Sequence, residues 1–241
     1  MMSDKFISLV LLLALSSSSM PATVDSHDYI VWSVDNQEIA DIVVRVGEYP
    51  NKPGKRIYLE YNELHLANNV KVHKDEKGYY VSEYDINLQL ASKVVRNLEQ
   101  EGIKVKLLTS QSKQEDLNSA GRKAMSYNPK VYFSIHHNYY SEDSTGYFIM
   151  VNKNSPKETE IANRISNSIS KVSSIRQMET RVQDGYIGEM NETDSTLNFL
   201  YEGGFFSNKS ELYVITSKEH TDKVAKVIAT ELIKTLKGAN N

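Results

Sequence analysis

The 241-residue sequence contains no cysteine. This absence excludes a disulfide framework, a cysteine nucleophile and any zinc site with thiolate ligands. A chain of this length can still bury a sizeable core without covalent cross-links. We therefore expect one main domain, stabilised by its core and by any metal that it binds.

An excess of positive charge is also missing. The chain has 28 Lys and Arg residues against 31 Asp and Glu residues, and its formal net charge is -3. Proteins that bind nucleic acids usually carry a basic surface, which this balance does not supply. We expect no nucleic acid among the partners of the protein.

The apolar stretch at residues 6–15 is too short to cross a bilayer. It follows Lys5 and precedes a run of serines and other small residues, the layout of a secretory signal peptide. A buried N-terminal helix is the alternative, but the serines would end it. We predict a signal peptide at residues 1–22, a secreted or cell-wall location, and no stable membrane insertion after its removal.

The pattern of the remaining chain predicts an α/β domain. Residues 23–53 are expected to form a short N-terminal strand extension that ends in a connector rich in Pro, Gly and Lys, and residues 54–238 to form the catalytic domain. The later segments alternate between strand and helix patterns. They are RIYLEY, YDINLQLASKVVRNLEQEG, IKVKLLT, DLNSAGRKAMSYN, VYFSIH, GYFIMVN, TEIANRISNSISKV, LNFLYE and residues 219–237. Such alternation predicts a mostly parallel central sheet with helices on both faces.

Polar side chains follow several predicted strands. His65 comes after RIYLEY, His136 ends VYFSIH, Glu202 ends LNFLYE, and Glu83 opens the first helix. Two histidines and a carboxylate are a common ligand set for catalytic zinc, and a further carboxylate could act as general base. Each residue also has an ordinary structural role open to it; Glu83, for example, could simply stabilise a helix N-terminus.

Three segments, in order, resemble the motifs of zinc-dependent N-acetylmuramoyl-L-alanine amidases of the AmiC/CwlV type. They are SEYDINLQLA, SIHHN and LYEGGFFSN, starting at residues 82, 134 and 200. The resemblance implies that Glu83 and His136 are zinc ligands and that Glu202 is the catalytic carboxylate. Because neighbouring residues of a strand point to opposite faces, His137 should not face the metal.

The third ligand is where the sequence departs from the family pattern. Family members have the motif D-P-G-H-G-G after their first strand, whereas residues 62–67 of this chain are N-E-L-H-L-A. Aligning the two histidines predicts His65 as the ligand, with Glu63 or His73 as alternatives. The missing glycines imply a different loop backbone.

The resemblance implies hydrolysis of the amide bond between N-acetylmuramic acid and L-alanine in peptidoglycan, with Zn²⁺ as cofactor. Two other functions are compatible with the altered first motif. One is a non-catalytic peptidoglycan-binding or regulatory protein with a degraded zinc site. The other is a zinc peptidase or amidohydrolase with a different substrate, because a fold does not determine its substrate.

Overall fold

The computed structural model describes residues 39–50, 52–110, 117–152, 155–183, 187–194 and 196–239. The predicted signal peptide at residues 1–22 lies outside these ranges. Within them, no helix has both the length and the apolar character needed to cross a membrane.

The central sheet has six strands and is mainly parallel. Its strands are β1 (Ile42–Val46), β5 (Val105–Leu108), β6 (Val131–Asn138), β7 (Phe148–Val151), β8 (Arg181–Val182) and β9 (Leu197–Phe205). They lie in the order β5-β1-β6-β9-β7-β8. The first four strands in this order are mutually parallel, and β7 runs antiparallel to β9. The predicted fold class is thus confirmed.

Helices cover both faces of the sheet. They are α1 (Glu83–Gln100), α2 (Leu117–Met125), α3 (Pro156–Ile169), α4 (Gly188–Glu192), α5 (Lys209–Ile215) and α6 (Lys218–Ala239). The main apolar core joins α1, α3 and α6 to one face, and a smaller core that includes Ala124 of α2 lies on the other. Burial of both faces explains why the central strands are almost uniformly apolar.

Helix α1 begins where the sequence pattern predicts a helix. The side-chain oxygen of Ser82 accepts a hydrogen bond from the backbone N–H of Asp85, which caps the first turn. Ile86, Leu90 and Val94 recur at helical spacing and are buried against the sheet. This cap fixes the start of α1, and with it the position of Glu83 beside the ends of the parallel strands.

Residues 42–46, from the expected N-terminal strand segment, form a strand of the central sheet. Strand β1 lies between β5 and β6, whereas the RIYLEY segment forms β2 (Arg56–Leu59) of a separate antiparallel sheet. That sheet also contains β3 (His73–Asp75) and β4 (Gly78–Ser82). Pairing on both edges places β1 inside the central sheet, between two strands of the expected catalytic domain.

Candidate active site

The candidate active site lies at the carboxyl ends of the parallel strands, where ligands bind in open α/β sheets. His136 of β6 is paired in register with Glu202 of β9. Paired residues on neighbouring strands project from the same face, so these two side chains lie side by side. The N-terminus of α1 adds Glu83, and the residues directly after β1 add Glu48.

Glu48, Glu83 and His136 form a group with the spacing of metal ligands. One ligand atom from each residue lies within 4.8 Å of the other two, and all three residues are buried. Nδ1 of His136 is 3.1 Å from Oε1 of Glu83. Two ligand atoms about 2.0–2.1 Å from a tetrahedral zinc would be about 3.3 Å apart. Two carboxylates and one imidazole therefore fit a metal ion in both chemistry and spacing.

Glu48 reaches this group from an unusual backbone conformation. Its φ is 65°, in the left-handed region that a glutamate rarely occupies. Such strain persists where the surrounding structure requires it, often at functional sites. Glu48 was not predicted as a ligand, although the sequence contains a signal for it. If D-P-G-H is aligned with Arg45 to Glu48, at the carboxyl end of β1, Glu48 falls on the histidine.

Gly47 makes room for the ring of His136. A Cβ atom on Gly47 would lie 2.4 Å from both Cε1 and Nδ1 of that ring. Real Cβ atoms do not approach other atoms so closely, so a larger residue would displace the imidazole. The absence of a side chain at position 47 thus positions Nδ1 of His136 beside Glu48 and Glu83.

The residues predicted to supply the third ligand lie elsewhere. His65 is exposed on a 3-10 helix, Tyr61–Ala67, where its Nδ1 is 2.8 Å from the carbonyl oxygen of Asn62. Glu63 forms an ion pair with Lys209, and His73 pairs with Asp85 at 2.8 Å. The group formed by the described residues contains none of the three. The structure thus does not bring His65 to this group, and Glu48 lies there beside Glu83 and His136.

Glu202 has the environment of a general base. Its Oε2 is buried and has no hydrogen-bond partner among the described residues. Burial raises the pKa of Glu202 to about 7, with the carboxylates of Glu83 and Glu189 adding to the effect of burial and the cations His136 and Lys55 opposing it. A carboxylate with a pKa near neutrality is suited to take and return a proton.

Basic side chains balance the carboxylates of the site. Nζ of Lys55 lies 3.2 Å from Oε2 of Glu83, and Lys52 forms an ion pair with Glu48. Burial opposes ionisation of Glu83, but His136 and Lys55 outweigh it and lower the pKa of this carboxyl group. Burial also opposes a charge on His136, yet hydrogen bonds to Glu189 and Glu83 raise its pKa to about 10.

His137 supports the site from the opposite face of β6. Its Nδ1 is 2.8 Å from Oδ1 of Asn87, and the amide nitrogen of Asn87 donates to the carbonyl oxygen of Gly47. Burial lowers the pKa of His137 to about 3, so the ring stays neutral. His137 thus fixes Asn87, which holds the backbone that precedes Glu48.

The fold resembles solved amidase structures. The catalytic domain of CwlV from Bacillus (Paenibacillus) polymyxa var. colistinus is 22% identical, with 81% of this chain and 97% of that chain covered and a TM-score of 0.63. AmiC2 of Nostoc punctiforme is 20% identical, with 84% and 98% covered and a TM-score of 0.63. CwlD from Clostridioides difficile, solved with the GerS lipoprotein, is 20% identical, with 83% and 99% covered and a TM-score of 0.64. At these identities the likeness concerns the fold.

Comparison with curated proteins finds no match. A family model for N-acetylmuramoyl-L-alanine amidases, Amidase_3, matches residues 69–234. The matched region contains Glu83, His136 and Glu202 and spans more than half of the sequence. The chain therefore belongs to the Amidase_3 family of N-acetylmuramoyl-L-alanine amidases.

Proposed function

We propose that this amidase hydrolyses the bond between N-acetylmuramic acid and L-alanine in peptidoglycan with Zn²⁺ bound by Glu48, Glu83 and His136. The observation that carries the proposal is the convergence of these three buried side chains within 4.8 Å. A set of three protein ligands leaves a coordination position for water, as in catalytic zinc sites. Glu202 stands on the neighbouring strand, in register with His136.

In the proposed reaction the metal activates water and substrate, and Glu202 transfers the proton. When bound, Zn²⁺ lowers the pKa of water and polarises the carbonyl oxygen of the scissile amide. Glu202 takes the proton of the attacking water and returns it to the nitrogen of the leaving L-alanine. Burial raises the pKa of the Glu202 carboxyl group, which favours the protonated form that the second transfer requires.

The substrate places the working enzyme outside the cytoplasm. Peptidoglycan lies beyond the inner membrane, and residues 1–22 have the layout of a signal peptide. We propose export of the chain with removal of this segment. N-terminal sequencing of protein recovered from outside the cell tests the proposal, and retention of residue 1 in that protein would contradict it.

The function is tested by measuring new L-alanine amino termini released from purified peptidoglycan. Activity should disappear with a chelator and return when Zn²⁺ is added. The Glu48→Ala protein should lose both bound zinc and activity, whereas the His65→Ala protein should keep both. Wall binding without release of amino termini would instead support the non-catalytic alternative.

The role of Glu202 needs a variant that keeps the metal. Glu202→Gln retains the shape of the side chain but cannot accept the proton, so zinc content should stay normal while turnover falls by about 10²-fold or more. Near-normal turnover would remove Glu202 from the mechanism. Equal loss of zinc would instead make it a ligand.

A further inference from the structure

A buried carboxylate that the proposed reaction does not use lies beneath His136. Oε1 of Glu189, on α4, is 3.1 Å from Nε2 of His136. This is the ring nitrogen that faces away from Glu83, because Nδ1 makes the contact with that residue. Glu189 is only 1% exposed, so its charge has no access to water.

Three donors hold the other oxygen of Glu189. Oε2 accepts hydrogen bonds from Tyr132 at 2.8 Å and Ser134 at 3.1 Å, and it forms an ion pair with Arg45. Arg45 is 2% exposed and balances the buried negative charge. With Oε2 held by these donors, Oε1 faces Nε2 of His136, which Nη1 of Arg45 also approaches at 3.4 Å.

We propose that Glu189 is a positioning residue: when a metal replaces the Nδ1 proton of His136, Glu189 holds the remaining ring proton on Nε2 and so presents the lone pair of Nδ1 to that metal. An Nε2–H donates to Oε1, and Nδ1 is then the nitrogen left unprotonated. Carboxylates behind metal-binding histidines act in this way in other proteins, where they fix the tautomer and ring orientation. The inference rests on the proposed metal site and extends it to residues that do not touch the metal.

The substitution Glu189→Gln makes a sharp test because of the three donors. They require an acceptor at the Oε2 position, so the glutamine must direct its carbonyl oxygen to them and its NH₂ group to His136. The NH₂ group would donate to Nε2 and move the ring proton to Nδ1. Zinc affinity, measured by competition with a chelator, should fall about 10- to 100-fold.

A matched control comes from another buried carboxylate. Glu231 of α6 is 3% exposed and pairs at 2.9 Å with Arg164 of α3, whose side chain is 41% exposed. Glu231→Gln should lower the stability of the protein but leave its zinc affinity unchanged. If folded Glu189→Gln protein binds zinc as tightly as the Glu231→Gln protein, the proposal is overturned.

A measurement on the unmodified protein covers the case in which Glu189→Gln does not fold. In zinc-loaded protein labelled with ¹⁵N, the His136 ring should carry its proton on Nε2. A proton on Nδ1, with the metal on Nε2, would refute the positioning role. The proposed metal site fails separately, if Glu48→Ala leaves zinc binding unchanged, so the two failures are distinguishable.

Discussion

The left-handed backbone at Glu48 leads to a prediction about stability that is independent of catalysis. At φ 65° a residue with a Cβ is disfavoured by roughly 1–2 kcal/mol, whereas glycine is not. A glycine at this position in turn lowers the free energy of unfolding by about 0.5–1 kcal/mol, because it increases the entropy of the unfolded chain. Glu48→Gly should therefore be more stable than Glu48→Ala by about 1 kcal/mol, although neither variant has the ligand carboxylate.

The assay is urea unfolding of both variants with a chelator present. With a typical m value of roughly 1–3 kcal/mol/M, the midpoint of Glu48→Gly should lie about 0.3–1 M above that of Glu48→Ala. Both should fail to bind zinc. The same pair of substitutions at Glu63, in the 3-10 helix, should give the opposite order of stability. Glycine relieves no left-handed strain there and only increases the entropy of the unfolded chain. Equal or greater stability of Glu48→Ala would refute the described backbone.

Three further changes have defined outcomes. Gly47→Ala should weaken zinc binding in chelator competition without altering the circular dichroism spectrum, because the new Cβ would meet the His136 ring at 2.4 Å. Burial lowers the pKa of His137 to about 3, so below about pH 6.5 the unfolded chain binds a proton that the folded chain excludes. The contribution of His137 to stability should then fall as the pH drops from 6.5 to 5, by up to ~1.4 kcal/mol per pH unit, and His137→Asn should remove this contribution in urea unfolding. Phe133→Ala removes a fully buried ring and should cost about 3–5 kcal/mol of unfolding free energy, and a loss below 1 kcal/mol would contradict the described core.

Local pattern was sufficient for much of the fold. The apolar spacing around Ile86, Leu90 and Val94 predicts α1, and the apolar runs before His136 and Glu202 predict β6 and β9. These elements carry the residues on which the family resemblance depends. The predicted family, fold class and amidase activity are confirmed for this reason.

The first strand shows what local pattern could not supply. Arg45 interrupts the apolar run IVVRV, so the sequence pattern predicts a half-buried strand. In the structure all five residues of β1 are buried. The partner of Arg45, Glu189, lies 144 residues later, and only the folded chain brings the two charges together. Aligning the family motif after RIYLEY, and not after β1, is what leads to the prediction of His65 as the ligand. The family match begins at residue 69, so it includes neither His65 nor Glu48 and cannot decide between them.

The position of β1 also has a consequence for how the protein folds. Its two neighbours, β5 and β6, begin about 60 and 90 residues after it in the sequence. Contacts between such distant segments require the closure of long loops, which slows folding. The newly made chain therefore cannot pair both edges of β1 until β6 has emerged. We expect β1 to have no stable structure before then, so that the active site assembles only when the whole sheet closes around its first strand.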